Sequence, residues 1–319
     1  MATNNTPLIS IIVPCFNSGL YLAETLESLI MQSYTNWECI IIDDSSSDNS
    51  VAIANSYQDR YPSAMKVVSN TGKGACAARN FGISLSSGSY IKFLDSDDAL
   101  FNEDVLGKQV AFCENYSYDI GYGDEYYYQD VFEQHNLIKK RGKAITNPEL
   151  FYDNFPITTN FIIRTDILKK LRWNENLKSG QEFFLLFQCF TREARFGYQP
   201  TPVAKIRVHD SVHRISNKSK QKYVEQLLDV VREMKADILI TKQSDQNFIK
   251  TFKNQLLKSS FLALRHQDSN AARSIIKDLK SLPFSAEAVT SCLIGITYTW
   301  PKAGYFFYRV VSRMGFNKL

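Results

Sequence analysis

The sequence lacks paired cysteines, a long apolar run and a marked excess of either charge, and each gap removes a class of protein. Six cysteines (Cys15, Cys39, Cys76, Cys113, Cys189 and Cys292) are scattered without a C-x-x-C spacing. That pattern excludes a zinc ribbon or a disulfide-framed module and reads as reduced core cysteine in a cytosolic protein. No apolar stretch reaches the ~18 residues of a membrane span. The nearest, "AVTSCLIGITYTW", is too short and too rich in hydroxyls. The opening "MATNNTPLIS" has no apolar leader segment, so no signal peptide is expected. A net charge of +4 is mild, and no nucleic-acid partner is expected from it. What is present, 44% hydrophobic and 22% charged residues in 319, describes an ordinary globular chain with room for a large domain and a smaller one.

The first hundred residues alternate between two periodicities. "LISIIVP" is a β-branched run suited to a strand buried on both faces, and "WECIIIDD", "MKVVS" and "YIKFLD" read as three more strands. Between the first two, Leu22, Leu26, Leu29 and Ile30 fall on one helical stripe. A second helix is expected after Asp48, whose carboxylate can cap it, a third over "GACAARNFGISLS", and a fourth capped by Asn102 with Leu106, Val110 and Cys113 inward. Repeated strand–helix–strand units predict an α/β fold with a mostly parallel mixed sheet and helices on both faces. Farther on, "GYGDEYYYQDVFEQHNLIKKRG" reads as a hairpin with a mobile turn, "FIIRTDILKKL" as strand then helix, "EFFLLFQCFTREA" as helix and "TPVAKIRVH" as strand. Beyond about Ser216 the pattern is helical, which places a domain boundary there: 1–216 for the α/β domain and 217–319 for a helical C-terminal region.

Ligands of open α/β sheets bind outside the carboxyl ends of the strands. The polar clusters "PCFN", "DDSSSD", "NTGKG" and "DSDD" each follow one of the first four strands, so all four fall on one rim. In "YIKFLDSDDAL" three carboxylates, Asp95, Asp97 and Asp98, crowd the end of an apolar strand. Asp95 and Asp97 alternate and share a side, where a hard divalent ion, Mg²⁺ or Mn²⁺, can bridge them to phosphate oxygens. The plain alternative is an Asp-rich turn in which Asp98 caps the next helix. Asp43 and Asp44 beside three serines are suited to a base or ribose donor, or to ordinary turn formation. In "NTGKGACAARNFG" the G-x-G-x-x-A spacing of Gly72, Gly74 and Ala77 imitates a dinucleotide fingerprint. That fingerprint belongs after the first strand of its unit and here follows the third, which argues against a nicotinamide cofactor. Arg79 can donate to a diphosphate or base, or sit in a surface ion pair.

Taken together, "IIVPCFN", "IIDDSSSD", "GACAARNFGI" and "YIKFLDSDD" resemble, in order and spacing across roughly the first 110 residues, the family 2 glycosyltransferases with the GT-A fold. The resemblance implies inverting transfer from a nucleotide-diphosphate sugar, usually UDP-linked, with Mn²⁺ or Mg²⁺. It implies that Pro14 and Asn17 lie at the nucleotide rim, that Asp44 reads the base and that Arg79 supports the nucleotide. Asp95 would face the ribose or metal, and Asp97 would be the metal ligand. The family's catalytic acid motif corresponds to "SGQEFFLLFQC", where Gln181 replaces the usual first acid and Glu182 stands in the position of the base. A helix N-terminal glutamate favoured by the dipole is the alternative. "AKIRVHDSVHRIS" resembles the segment that closes the donor site, with His209 on the metal or, with Arg207 and Arg214, on the diphosphate. From Pro301 to Leu319 there is no acidic residue. Lys302, Arg309 and Arg313 would share one helical face opposite Phe307, Val310, Val311 and Met314, as in a helix lying on an anionic membrane or docked on its own protein. The expected protein is cytoplasmic, or peripheral on the inner membrane face, with a nucleotide sugar and a saccharide or lipid-linked acceptor of surface or capsular polysaccharide as partners. A nucleotide-binding module without turnover and an NAD-dependent oxidoreductase stand as competing readings.

Overall fold

The computed structural model describes residues 6–129, 138–140, 142–146, 151, 154–208, 229–230 and 232–237. The chain divides into two compact units, Met1–Glu175 with Leu185–Asp210, and Asn176–Phe184 with Ser211–Leu319. The boundary expected near Ser216, the turn of the hairpin, and the C-terminal tail all lie outside the described residues.

In the first unit, strands β1 (Ile9–Cys15), β2 (Trp37–Asp43), β3 (Met65–Ser69) and β4 (Tyr90–Phe93) alternate with helices α1 (Leu22–Ile30), α2 (Ser50–Arg60) and α3 (Gly74–Leu85). They pair in parallel in the order β3-β2-β1-β4. A short strand β5 (Ala99–Leu100) precedes α4 (Val105–Tyr116). Then come β6 (Ile120–Gln129), β7 (Ile138–Lys140), β8 (Ile162–Arg164), α5 (Thr165–Leu168), α6 (Gln181–Thr191) and β9 (Phe196–Val208). The sheet continues β4-β8-β6-β9-β5, with β7 paired to β6. It is a mixed sheet, as expected: β8 runs antiparallel to β4 and to β6, while β6 and β9 are parallel. The hairpin reading holds for β6 and β7, where Tyr126 faces Lys139 in an antiparallel pair.

Alternation along β1 explains why helices cover both faces. Ile9, Ile11, Val13 and Cys15 pack into one core with Leu22, Leu26 and Leu29 of α1, Ala54 and Tyr57 of α2, and Val105, Leu106, Val110 and Cys113 of α4. Ile12 points the other way, onto α3, where a Cβ on Gly82 would come within 2.5 Å of the Ile12 side chain. Gly82 therefore sets how closely α3, and the residues it carries, approaches the sheet. The five described cysteines are buried thiols, and burial pushes that of Cys15 up to about 11, so these are core groups.

Two capping expectations change. Helix α4 starts at Val105 after Asp104, and Asn102 instead accepts the Asp104 N–H at 3.2 Å, shaping the turn before the helix. Asp48 stands one residue before the cap position of α2 yet still holds its first turn, accepting the Ser50 N–H at 2.9 Å.

In the second unit, Gly180 has φ +65°, and a Cβ there would lie 3.0 Å from the Val230 side chain. The Gln181 side-chain amide donates to the Leu177 carbonyl at 2.6 Å, tying the first residue of α6 to the segment before it.

Candidate active site

The first four strands deliver their loops to one rim, and side chains stitch the loops together. Asn17 leaves β1 with φ 49°, a conformation that asparagine tolerates better than most residues. Its N–H donates to Ser46 Oγ at 3.0 Å, and its Oδ1 accepts the Ser47 N–H at 2.8 Å. Pro14 is buried inside β1 opposite Ile42 in the register, so the exposed part of this loop begins at Phe16. Asp44 reaches across to the third loop, accepting Asn70 Nδ2 at 2.7 Å and the Gly74 N–H at 2.8 Å. Gly74 has φ +85°, which a side chain would strain, and it starts α3 where that N–H meets the carboxylate.

The acidic loop after β4 distributes its three carboxylates among different jobs. Asp95 is one-third exposed and pairs with Arg79 of α3, the guanidinium nitrogen lying 2.6 Å from Oδ1. Arg79 itself is buried, with its guanidinium 4.5 Å from the ring centre of Trp173, a cation–π contact that fixes the arginine plane. Asp97 is half-buried. Asp98 does not cap the next helix. It is buried and accepts Thr159 Oγ1 at 2.8 Å and the Arg207 N–H at 3.1 Å. Burial first, then the neighbouring charges of Asp97 and Asp95, push its carboxyl well above the usual carboxylate range. Ser96, between them, is held by Ser18 through a 2.7 Å hydroxyl pair, and Thr25 Oγ1 donates to the carbonyls of Ser96 and Asp98 at 3.0 and 2.8 Å.

Arg207 is not displayed for a diphosphate. Its guanidinium is 3% exposed, paired with Glu24 of α1, and its Nε donates to the Asp97 carbonyl at 3.2 Å. The crowding of carboxylates thus meets two buried guanidiniums, Arg79 on one side and Arg207 on the other, before any ligand is considered. His209 and Arg214 lie outside the described residues. Glu182 is in the first turn of α6, within the second unit.

Sequence reasoning missed several supports of this rim. Thr159 links β8 to the acidic loop through Asp98 and the Asp95 N–H, which donates to Thr159 Oγ1 at 3.4 Å. Behind it, Lys92 of β4 is fully buried, donating to the Thr159 carbonyl at 2.8 Å and the Phe161 carbonyl at 3.5 Å. Burial pushes its amine down to about 7. A lysine inside an otherwise apolar strand was the one available signal. Trp173 and Glu24 carried none.

The donor chemistry fits a hard divalent cation. Among the described residues no cluster of three or more His, Cys, Asp or Glu gathers. Mg²⁺ and Mn²⁺ bound to a nucleotide diphosphate take only one or two carboxylates, the remaining ligands being phosphate oxygens and water. Asp95 and Asp97, two residues apart on the loop after β4, are carboxylates of the kind such an ion would take.

The sequence profile described as "Glycosyl transferase family 2" matches residues 10–172, over half the chain. The chain belongs to glycosyl transferase family 2. An uncharacterized glycosyltransferase of Haemophilus influenzae is 37% identical over 182 residues, covering 57% of this chain and 72% of the relative. The minor teichoic acid biosynthesis protein GgaA of Bacillus subtilis is 31% identical over 199 residues, covering 60% of this chain but 45% of GgaA. The chain thus spans less than half of that relative. Among solved structures, S. aureus TarS 1-349 in complex with UDP-GlcNAc superposes with a TM-score of 0.71 at 20% identity, covering 96% of this chain and 92% of that one. The mannosyltransferase PcManGT from Pyrobaculum calidifontis, in complex with GDP-Man and Mn²⁺, gives 0.58 at 14% identity, covering 96% and 86%. These likenesses establish the glycosyltransferase fold that the motifs led us to expect, and family membership removes the oxidoreductase reading.

Proposed function

We propose that the chain is an inverting, metal-dependent glycosyltransferase that moves a hexosyl or N-acetylhexosaminyl unit from a UDP-sugar to a saccharide or lipid-linked saccharide. The product is a surface or capsular polysaccharide. The observation that carries this reading is the acidic loop at the carboxyl end of β4, where Asp95 and Asp97 stand on the rim built from four strand ends. The UDP-GlcNAc complex of TarS and the teichoic acid role in the name of GgaA support the donor class and the type of product.

In this reading Asp44 meets the base, Asn17 and the end of β1 border the nucleotide, and Arg79 holds Asp95 in place for the ribose or metal. Asp97 is the metal ligand, with His209 as a further contact to the metal or diphosphate. A divalent cation bound there supplies positive charge to the departing diphosphate. Glu182 takes the proton from the acceptor hydroxyl as that oxygen attacks the anomeric carbon from the face opposite the leaving group, which inverts the configuration. Glu182 stands in the first turn of α6, where the helix dipole favours a negative charge. Among the described residues no helix is long and apolar enough to cross a membrane. We assign any contact with the inner membrane surface to the basic tail from Pro301 to Leu319, and the natural acceptor to that surface.

Glu182→Gln tests the chemistry apart from the binding. The expected result is a fall in kcat of about 10²–10⁴ with UDP-sugar affinity unchanged. Equal turnover in the variant would remove Glu182 as the base. A parent protein that binds UDP-sugar but never consumes it with any acceptor would favour the binding module.

A further inference from the structure

We propose that Arg207 is a positioning residue of the acidic loop, setting the bearing of Asp97 from the neighbouring strand β9. The proposal deepens the reading of Asp97 as a metal ligand and rests on it in part. Arg207 is 110 residues from Asp97 in sequence, yet three of its groups are engaged on or beside the loop. Its main-chain N–H donates to Asp98 Oδ1 at 3.1 Å, and its Nε donates to the Asp97 carbonyl at 3.2 Å. The outer edge of the guanidinium pairs with Glu24. The guanidinium plane is also fixed by aromatic contacts, with its carbon 4.6 Å from the ring centre of Tyr21 and 4.9 Å from that of Tyr128.

Each contact constrains a different degree of freedom. The bond to the Asp97 carbonyl fixes the peptide following that residue, and the bond to Asp98 fixes the next side chain. The loop between these two points has little freedom to rotate. Glu24 and the two rings fix Arg207 in turn, so the main chain that carries the half-buried Asp97 carboxylate is held by groups on β9, on β6, on α1 and at its N-cap. Lysine keeps the charge but has neither the planar fork nor the stacking face, so it cannot fill this site. Groups that orient a metal ligand without touching the metal typically change affinity or activity by 10–100-fold.

Two readouts on the full chain test the proposal with Arg207→Lys and Glu24→Gln. In the nucleotide-free protein, amide hydrogen exchange at residues 94–101 should accelerate roughly tenfold or more in both variants, with exchange in β1 and α3 unchanged. In the presence of UDP, the Mn²⁺ dissociation constant read by electron paramagnetic resonance should rise about 10–100-fold in both, while UDP affinity without metal stays at the parent value. Unchanged exchange at residues 94–101 overturns the proposal, and so does parent-like Mn²⁺ affinity in both variants. Acceleration spread over the whole sheet would mean a general packing role and overturns it as well. If the parent binds no Mn²⁺ with UDP, the metal reading of Asp97 fails by itself, and the exchange measurement still decides the role of Arg207.

Discussion

Two buried arginines flank the same acidic loop and reach it in different ways. Arg79, on α3, approaches from the parallel half of the sheet and grips a side chain, the carboxylate of Asp95. Arg207, on β9, approaches from the mixed half and grips the main chain at Asp97, with its own N–H on Asp98. The first contact neutralises a charge on the rim, whereas the second shapes the loop that carries the charge. The difference teaches that the crowded carboxylates are met by two cations of the protein's own, one on a side chain and one on the main chain. In the proposed mechanism a divalent ion would act on the ligand.

The largest expected effect removes the group between the two flanks. Asp97→Ala should lower transfer at least about a thousandfold, equivalent to about 4 kcal/mol, with the melting temperature little changed. A variant that retains activity would mean that the loop works without this carboxylate.

The junction of β4 with the antiparallel β8 is probed through Lys92. Its amine is held at about 7 in the fold against an ordinary 10.5, so the unfolded chain binds more protons between those values. Stability should therefore rise with pH across that window, by about 5 kcal/mol at most. Chemical denaturation at a series of pH values should show this rise in the parent and a flatter profile in Lys92→Met. Identical slopes in the two proteins would show that the amine is not depressed by burial.

On the parallel flank, Arg79→Leu leaves Asp95 without its partner. Because Asp95 is one-third exposed, water offsets part of the loss, and about 2 kcal/mol of stability should disappear. Calorimetric unfolding checks this, and a loss below 0.5 kcal/mol would make the pair a surface contact. The smallest effect belongs to Asn70→Ala, which removes one hydrogen bond to Asp44 and should cost about 1 kcal/mol while loosening UDP binding only slightly.

The two flanks also differ in what the sequence disclosed. The parallel half was legible because its signals are local. A β-branched run, a polar cluster and an amphipathic helix recur within short spans, so strands, helices and the rim that carries Asn17, Asp44, Arg79 and Asp95 follow in order. The mixed half depends on partners distant in the chain. Nothing near Arg207 announces Glu24 or the Asp97 carbonyl, and a basic residue ahead of His209 reads as a phosphate contact until the fold shows it buried. The alternative in which Asp98 caps the next helix fails for the same reason. A carboxylate before a helix looks like a cap, and only the arrival of Thr159 and β9 turns it into a buried acceptor. Glu182 was found from its resemblance to a motif and from its place at a helix start, and its catalytic role awaits the Glu182→Gln comparison.

Calorimetric titration of UDP in the presence and absence of Mn²⁺, on the parent and on Asp97→Asn, tests the central claim most directly. The account predicts that Mn²⁺ tightens UDP binding to the parent and has no such effect on Asp97→Asn. UDP affinity indifferent to Mn²⁺ in the parent, or tightened equally in both proteins, would contradict it.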